Sequence, residues 1–388
     1  MRLAFYYHVP FSLKNNEIYL PGYFGVFIES LANEIETLYL VMHEANNIEA
    51  VEADYKIKSK NIVLINLGFK TKAWHRSIFH SKILKSELEK IELCDVFLVR
   101  SPSPLAPYFS KYVKHPKLVY MIVGDYGESV IQFKPSNIRE YLMIKYIRHN
   151  DFKFKKTIKK FDILVNSPAL YENLKSNCKS ISLIKTTTLS SNDFFYRDDT
   201  CQNSLINILY TGRFDRTKGV FELIEAASNL LKNGYNICLN FVGWDLDKGK
   251  ANEIKMIELV RNLKIDNHVI FHGMKKIGAD LNEMYKMSDL YVLPSYEEGF
   301  PRTIWEALAN SIPVIATSVG GIPKYLTNLE NVLLIEPKSV IEIENAIIKL
   351  INDADLRKNL IINGINIAKK NTLEVQSNNL IKILENLK

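Results

Sequence analysis

The feature that most constrains this chain is a rhythm in its second half, where short β-rich runs alternate with amphipathic helical patterns. "INILYTG" (206–212) reads as a buried strand. "VFELIEAASNLLKNG" (220–234) follows as a helix, with Val220, Ile224, Ala227 and Leu231 on one stripe and Gly234 as its stop. Strand "ICLNFVG", helix "ANEIKMIELVRNL", strand "HVIFHG", helix "DLNEMYKMS", strand "LYVLPS", helix "RTIWEALAN" and strand "PVIAT" continue the pattern. Strands separated by helices need crossover connections, and right-handed crossovers build a parallel, doubly wound sheet. The first half repeats the rhythm more loosely, with strands at "LAFYYHV", "ETLYLVM", "DVFLVR", "LVYMIVG" and "FDILVNS" and a helix at "GVFIESLANEI".

At 388 residues the chain exceeds one core of ordinary size, so two domains are expected. The turn-rich stretch "SSNDFFYRDDTCQNS" (190–204) has no periodicity and marks the boundary. The expected division is 1–195 as a first Rossmann-like domain and 196–370 as a second. A terminal helix, 371–388, could pack anywhere, including back on the first domain. Hydrophobic residues at 47% and charged residues at 24% describe a globular protein. No apolar run reaches the roughly 18 residues of a membrane span, and "MRLAFYYHVP" reads as a strand and not as a leader. The four cysteines are scattered with no Cys-x-x-Cys pair, as in a cytoplasmic protein with reduced thiols and no structural zinc.

The net charge of +7 is concentrated. Residues 134–160 hold nine Lys/Arg against Glu140 and Asp151, a surplus equal to that of the whole chain. One reading is a solvated helix face. The other is a foot resting on anionic lipid at the inner face of the cell membrane, since Tyr141, Leu142, Ile144, Tyr146 and Ile147 are interleaved with the cations. No aromatic-basic module or helix-turn-helix pattern points to nucleic acid.

In open α/β sheets, ligands bind beyond the carboxyl ends of the strands. Two loops there carry chemistry. In "TGRFDRTKG" (211–219), Arg213 and Lys218 bracket a tight turn before a helix, a setting that suits a phosphate or diphosphate. In "PSYEEGFPRTIWEALA" (294–309), Gly299 lets the backbone approach a ligand, and Pro301 is expected as an early helical residue. Glu298 stands at the loop and Glu306 in the helix, and carboxylates accept hydrogen bonds from paired hydroxyls. Phosphate-binding backbone beside hydroxyl-binding acids describes a sugar nucleotide. As surface residues, the same side chains would be loop and helix charges.

Together these segments resemble the retaining glycosyltransferases of GT-B fold, specifically the large GT4 family. Its Glu-x7-Glu motif is matched by Glu298 and Glu306, and its Gly-Arg…Lys-Gly segment by "TGRFDRTKG". "NFVGW", "VIFHGM" and "MSDLYVLPS" fall between them in the family's order, and the likeness covers about residues 200–370. The resemblance implies two facing Rossmann-like domains with parallel doubly wound sheets and a cleft between them. It implies that Arg213 and Lys218 hold the donor diphosphate, with Gly25, Gly299, Phe300 and Pro301 beside it. Glu306 would bind the ribose, Glu298 would contact the donor sugar as a catalytic group, and Met274 would line the base. Where many relatives place a histidine after a strand, this chain has Gly124 and then Asp125, so Asp125 is a candidate base on the acceptor side and His8 a second acceptor-side candidate.

The expected activity is therefore transfer of a sugar, with retention, from a UDP- or GDP-linked donor to a glycan or lipid-linked acceptor, as in assembly of capsule or O-antigen. No cofactor or metal is expected. Asp245-x-Asp247 resembles the metal-binding acids of another glycosyltransferase fold but lies away from any donor motif of that class. A dinucleotide oxidoreductase would need a Gly-x-Gly-x-x-Gly turn that the chain lacks. A GT-B sugar-nucleotide epimerase and a non-catalytic nucleotide-sugar-binding protein are the remaining alternatives.

Overall fold

A computed structural model describes residues 1–46, 53–114, 117–124, 135, 137–247 and 249–387. Two compact units emerge, Met1–Thr186 with Glu374–Lys388, and Thr187–Leu373.

The first unit holds strands β1 (Arg2–Tyr6), β2 (Ser12–Lys14), β3 (Glu17–Leu20), β4 (Thr37–Glu44), β5 (Tyr55–Lys56), β6 (Ile62–Phe69), β7 (Val96–Ser101), β8 (Lys117–Ile122), β9 (Asp162–Val165) and β10 (Ser180–Leu183). Seven of these form a sheet in the order β10-β9-β8-β7-β1-β4-β6, parallel at every pairing. β1 shows why its sequence is apolar after Arg2. Leu3, Phe5 and Tyr7 enter one core layer with Phe24, Ile28 and Leu31, while Ala4 and Tyr6 enter the other with Phe97 and Phe109. A strand covered on both faces has no polar side to show. The small antiparallel sheet β2-β3-β5 is too short for its alternation to be read in the sequence. Its hairpin turns on Asn15 and Asn16, both in the left-handed region at φ 54° and 61°.

The basic segment folds as one long helix, Ile138–Ile158, whose Asn137 side chain caps the N–H of Glu140 at 3.0 Å. It buries Ile144, Phe154 and Ile158. The C-terminal helix Leu373–Asn386 places Leu380, Ile381 and Leu384 in the core layer of Phe24 and Ile28. Ser377 Oγ lies 2.9 Å from Ser30 Oγ there.

The second unit holds β11 (Ile206–Arg213), β12 (Ile237–Trp244), β13 (Val269–Phe271), β14 (Leu290–Leu293), β15 (Val314–Thr317) and β16 (Leu333–Ile335). They form one sheet in the order β13-β12-β11-β14-β15-β16, parallel throughout. From β11 the chain winds outward to β13, then returns to the opposite side of β11 at β14. That reversal is the topological switch point.

The units divide at Thr186/Thr187, before the 195/196 division expected from composition. Thr187–Leu189 go with the second unit because the Thr188 hydroxyl donates to Glu306 at 2.6 Å and the Leu189 carbonyl accepts the Leu373 N–H at 2.7 Å. The turn-rich segment after them is pinned to that unit as well. Arg197 donates to the carbonyls of Ser311, Lys286 and Ser288, and Asp199 accepts both arms of Arg357 at 2.8 and 2.9 Å. Its polarity serves hydrogen bonds to the unit's own backbone.

Candidate active site

The loops leaving β11 and β14 flank the switch point, and backbone contacts lock them together. Gly219 has φ +66°, and a Cβ there would stand 2.1 Å from the Pro294 carbonyl oxygen. The Tyr296 N–H donates to the Thr217 carbonyl at 2.7 Å, and Asp215 caps the turn by accepting the Thr217 N–H at 2.9 Å. A third loop, after β15, closes on the second. The Gly321 N–H donates to the Gly299 carbonyl at 2.6 Å, and a Cβ on Gly320 would meet the Glu298 carbonyl oxygen at 1.7 Å. Glycine is required at 219 and 320 by conformation and close approach together.

Across this frame Lys218 Nζ donates to Glu298 Oε1 at 2.7 Å, with side chains only 14% and 12% exposed. Arg213, at the end of β11, is 43% exposed and stands 3.8 Å from Asp215. Gly299 is exposed, and a Cβ there would meet nothing within 4 Å. Phe300 stacks on Trp305 with ring centroids 4.5 Å apart. Pro301 is not helical, in contrast to the expectation above. It sits at the N-cap in extended conformation, φ −76° and ψ 126°, and the helix begins at Arg302. The cause is local, since the loop is still turning away from the Gly299–Gly321 hydrogen bond.

Glu306 lies inside the second unit, 8% exposed. Thr188 Oγ1 donates to its Oε1 at 2.6 Å and the Tyr285 hydroxyl to its Oε2 at 2.9 Å. Thr211 Oγ1 stands 2.9 Å from the Tyr285 hydroxyl and 3.0 Å from that of Tyr291, which donates to Thr303 Oγ1 at 2.7 Å. Burial first, then the neighbouring Glu306 carboxylate, pushes the Tyr285 hydroxyl well above its ordinary pKa, so it remains a donor. Each carboxylate oxygen accepts about two hydrogen bonds, so Glu306 retains acceptor capacity beyond these two. Tyr285, Tyr291, Thr188 and Thr211 carry no motif. In the sequence the tyrosines read as apolar core positions, and only their hydroxyls, brought together by the sheet, make a network.

The remaining described candidates take their places within their own units. Met274 follows β13 and is 69% exposed. Asp245 caps the helix Ala251–Asn262, accepting the N–H groups of Asn252 at 2.7 Å and Glu253 at 3.1 Å, so its carboxylate serves the backbone. In the first unit, Gly25 lies in the opening turn of the helix Gly22–Ala32, its N–H bonded to the Pro21 carbonyl at 2.9 Å. A Cβ there would be 2.3 Å from the Tyr55 ring, so the close approach of that ring requires glycine. His8 follows β1, beside the switch point of the seven-stranded sheet between β1 and β7. Asp125 lies outside the described residues.

The frame therefore offers two cations, a carboxylate braced against one of them, and a second carboxylate in a hydroxyl network, all at one switch point. It can neutralise a bound dianion and accept hydrogen bonds from a polyol. Residues 201–367 match the family model described as "Glycosyl transferases group 1". Over 391 aligned residues the chain is 27% identical to Protein CapJ of Staphylococcus aureus, covering 97% of this chain and 93% of that protein. It is 32% identical over 155 residues to the capsular polysaccharide biosynthesis glycosyltransferase CapM of the same organism, 40% of this chain and 39% of that one. Among solved structures, Anabaena Alr3699/HepE in complex with UDP and glucose superposes over 100% of both chains with a TM-score of 0.71 at 15% identity, a likeness of GT-B fold.

Proposed function

We propose that this chain, in which residues 201–367 match the glycosyl transferases group 1 model, moves a sugar from a nucleoside diphosphate donor to a glycan or lipid-linked acceptor in capsular or related surface-polysaccharide assembly. The observation that carries the donor assignment is the Lys218–Glu298 pair at the switch point, with Arg213 on the same loop. Lys218 and Arg213 would hold the diphosphate, with the Gly299–Pro301 backbone beside it. Glu298, already oriented by Lys218, would meet the donor sugar. Glu306 would accept from the ribose hydroxyls, and Met274 would stand near the base.

In the reaction the bond from the anomeric carbon to the diphosphate oxygen breaks as the acceptor oxygen bonds to that carbon. The acceptor proton passes to the departing diphosphate, which leaves as nucleoside diphosphate. Positive charge gathers at the sugar carbon and negative charge on the leaving group, so cations fixed at the diphosphate lower the barrier. Retention follows if the acceptor attacks the face the diphosphate leaves.

A seat on anionic lipid is part of the same reading. Ile138, Leu142 and Lys145, and then Phe152, Lys156 and Lys160, are exposed at three- or four-residue spacings along the helix Ile138–Ile158 and its end. Among the described residues no helix is long and apolar enough to cross a membrane.

The test is a thermal-shift and turnover screen of UDP- and GDP-sugars. The expected result is stabilisation by one donor, slow donor hydrolysis without acceptor, and loss of both in folded Arg213→Ala and Lys218→Ala proteins. Conversion of a donor to its epimer without acceptor would instead make the protein an epimerase. A fully active double variant would refute the donor site.

A further inference from the structure

Unpartnered buried polar atoms gather at the carboxyl end of the first unit's sheet. His8 Nδ1, His43 Nε2, Arg76 Nε and Nη1, Arg100 Nε and Ser101 Oγ are all buried without a hydrogen-bond partner among the described residues. They come from the end of β4, the residue after Tyr7 beyond β1, the end of β7, and the helix Ala73–Ile78 that follows β6. Those three strands are neighbours across the switch point of that sheet. Arg76 is 5% exposed and His43 1%. Arg100 is held in place by its guanidinium over the Tyr7 ring, 4.3 Å from the centroid. Ser77, next to Arg76, donates to the Pro104 carbonyl at 3.1 Å, which ties that short helix to the segment after β7.

The charges acting on this edge share one sign. Burial first, then Arg100, Arg76 and Lys70, holds the His8 imidazole down to about 3. Burial first, with Arg76 and Lys70 adding to it, holds His43 down to about 4. Glu44, the acid next to His43, is engaged by Asn66 at 2.9 Å. A buried guanidinium with unmet donors calls for an anion. Neutral His8 can add an N–H donor without adding charge, whereas His43 Nδ1 donates to the Gly68 carbonyl at 3.2 Å, which leaves its Nε2 an acceptor. His43 also lines a hollow of about 670 Å³ with Asn66, Gly68, Thr71 and His75, room for a group carried by the anion.

We infer that this strand edge is an oxyanion site, with Arg76 and Arg100 as its guanidinium clamps and His8 as a neutral donor, for a phosphate ester borne by the sugar acceptor. That the ester belongs to the acceptor rests on the glycosyltransferase reading. The site itself is separate in residues from Arg213 and Lys218. Guanidinium groups favour phosphate because planar paired donors match its oxygens.

The experiment is calorimetric titration of the full chain with inorganic phosphate while UDP is held at saturation. Phosphate is expected to bind to the UDP-loaded protein, and to bind at least about tenfold more weakly to Arg76→Met and to Arg100→Gln. Arg76→Met is also expected to raise Tm in phosphate-free buffer, because an apolar side chain of similar length replaces an uncompensated charge. A second arm uses decyl phosphate below its micelle concentration. Tighter binding than inorganic phosphate assigns the ester to a lipid, and equal binding to a soluble acceptor. Loss of phosphate binding on adding UDP, phosphate affinity untouched by both substitutions, or preference for glucuronate over phosphate would each overturn the inference. Phosphate binding that persists in a protein that binds no nucleotide would refute the donor reading and leave this site standing.

Discussion

Lys218 Nζ and Glu298 Oε1 meet at 2.7 Å although 80 residues of sequence separate them, and the two loops that carry them share a backbone hydrogen bond from Tyr296 to Thr217. The pair is mostly buried, so each charge depends on the other for its orientation. Replacing Lys218 by Ala or Glu298 by Gln is expected to lower kcat by about 10²-fold or more, the scale of losing one fixed charge-stabilising group. Because the residues act as a unit, the double variant should lose far less than the product of the single losses, with a coupling of about 0.5–3 kcal/mol. Turnover of the four proteins on one donor measures this, and strictly multiplicative losses would disprove the coupling.

The Glu306 network makes a separate stability prediction. Tyr285→Phe removes one donor to the carboxylate and should cost about 1 kcal/mol, and Glu306→Ala, which strands the Thr188 and Tyr285 hydroxyls, about 1–3 kcal/mol. For a unit of this size each kcal/mol lowers Tm by roughly 2–4 °C. Calorimetry of the second unit's transition reads both, and an unchanged Tm for Tyr285→Phe would show that its hydroxyl carries no net stabilisation.

His8 and His43 give the first unit a pH dependence of defined sign. In the folded state they remain neutral down to about 3 and about 4, held there by burial and by Arg100, Arg76 and Lys70. Unfolded, each takes up a proton near its ordinary value of about 6.5. Below that value the unfolded chain binds more protons, so stability is complete above about pH 6.5 and falls as pH drops toward 4. By pH 4.5 the loss should reach about 2 kcal/mol for each imidazole. The slope of Tm against pH should flatten in His43→Asn. An equal slope in the variant would count against the assignment.

Asp199 and Arg357 test whether the turn-rich segment belongs to the second unit. Arg357 is 4% exposed and its guanidinium also donates to the Leu350 and Ile351 carbonyls. Asp199→Ala leaves that buried charge without its anion and should cost about 3–5 kcal/mol. Limited proteolysis should then cut within 190–204, while the parent protein resists cleavage there.

The helix Ile138–Ile158 predicts salt-sensitive binding to anionic vesicles. Changing Lys155, Lys156, Lys159 and Lys160 to Gln should weaken co-sedimentation with phosphatidylglycerol vesicles at low salt by about 1 kcal/mol per lysine facing the surface. Lys155 also pairs with Asp151 at 2.9 Å, so its share should be the smallest. No sedimentation of the parent protein at low salt would remove the membrane from the functional reading.

Much of the second unit was legible because its strands and helices keep their periods without interruption. "VFELIEAASNLLKNG" shows one apolar stripe, and the helix observed is Val220–Lys232. Glu298 and Glu306 were visible through a motif, as was the loop of Arg213 and Lys218. The tyrosine hydroxyls around Glu306 were not, because Tyr285 and Tyr291 read as any buried aromatic. The cationic edge of the first unit was also hidden. Arg100 and His43 end runs of strand residues and Arg76 sits within a short helix, and nothing local says that their side chains converge. Arg100 closing the apolar run "DVFLVR" was the one available signal.

For most of the second unit, sequence alone determined which segments are strands, which are helices, and that their alternation gives a parallel sheet, because those properties follow from side-chain periods and crossover geometry within a few dozen residues. It also placed Glu298, Arg213 and Lys218 on strand-to-helix loops. Only the tertiary structure decided strand order, and with it that β11 and β14 are neighbours while the chain between them runs to the far edge. That adjacency joins Lys218 to Glu298, and in the first unit the order β7-β1-β4 brings Arg100, His8 and His43 to one edge. Each pairing depends on distance across a sheet, which the order of residues along a chain does not encode locally.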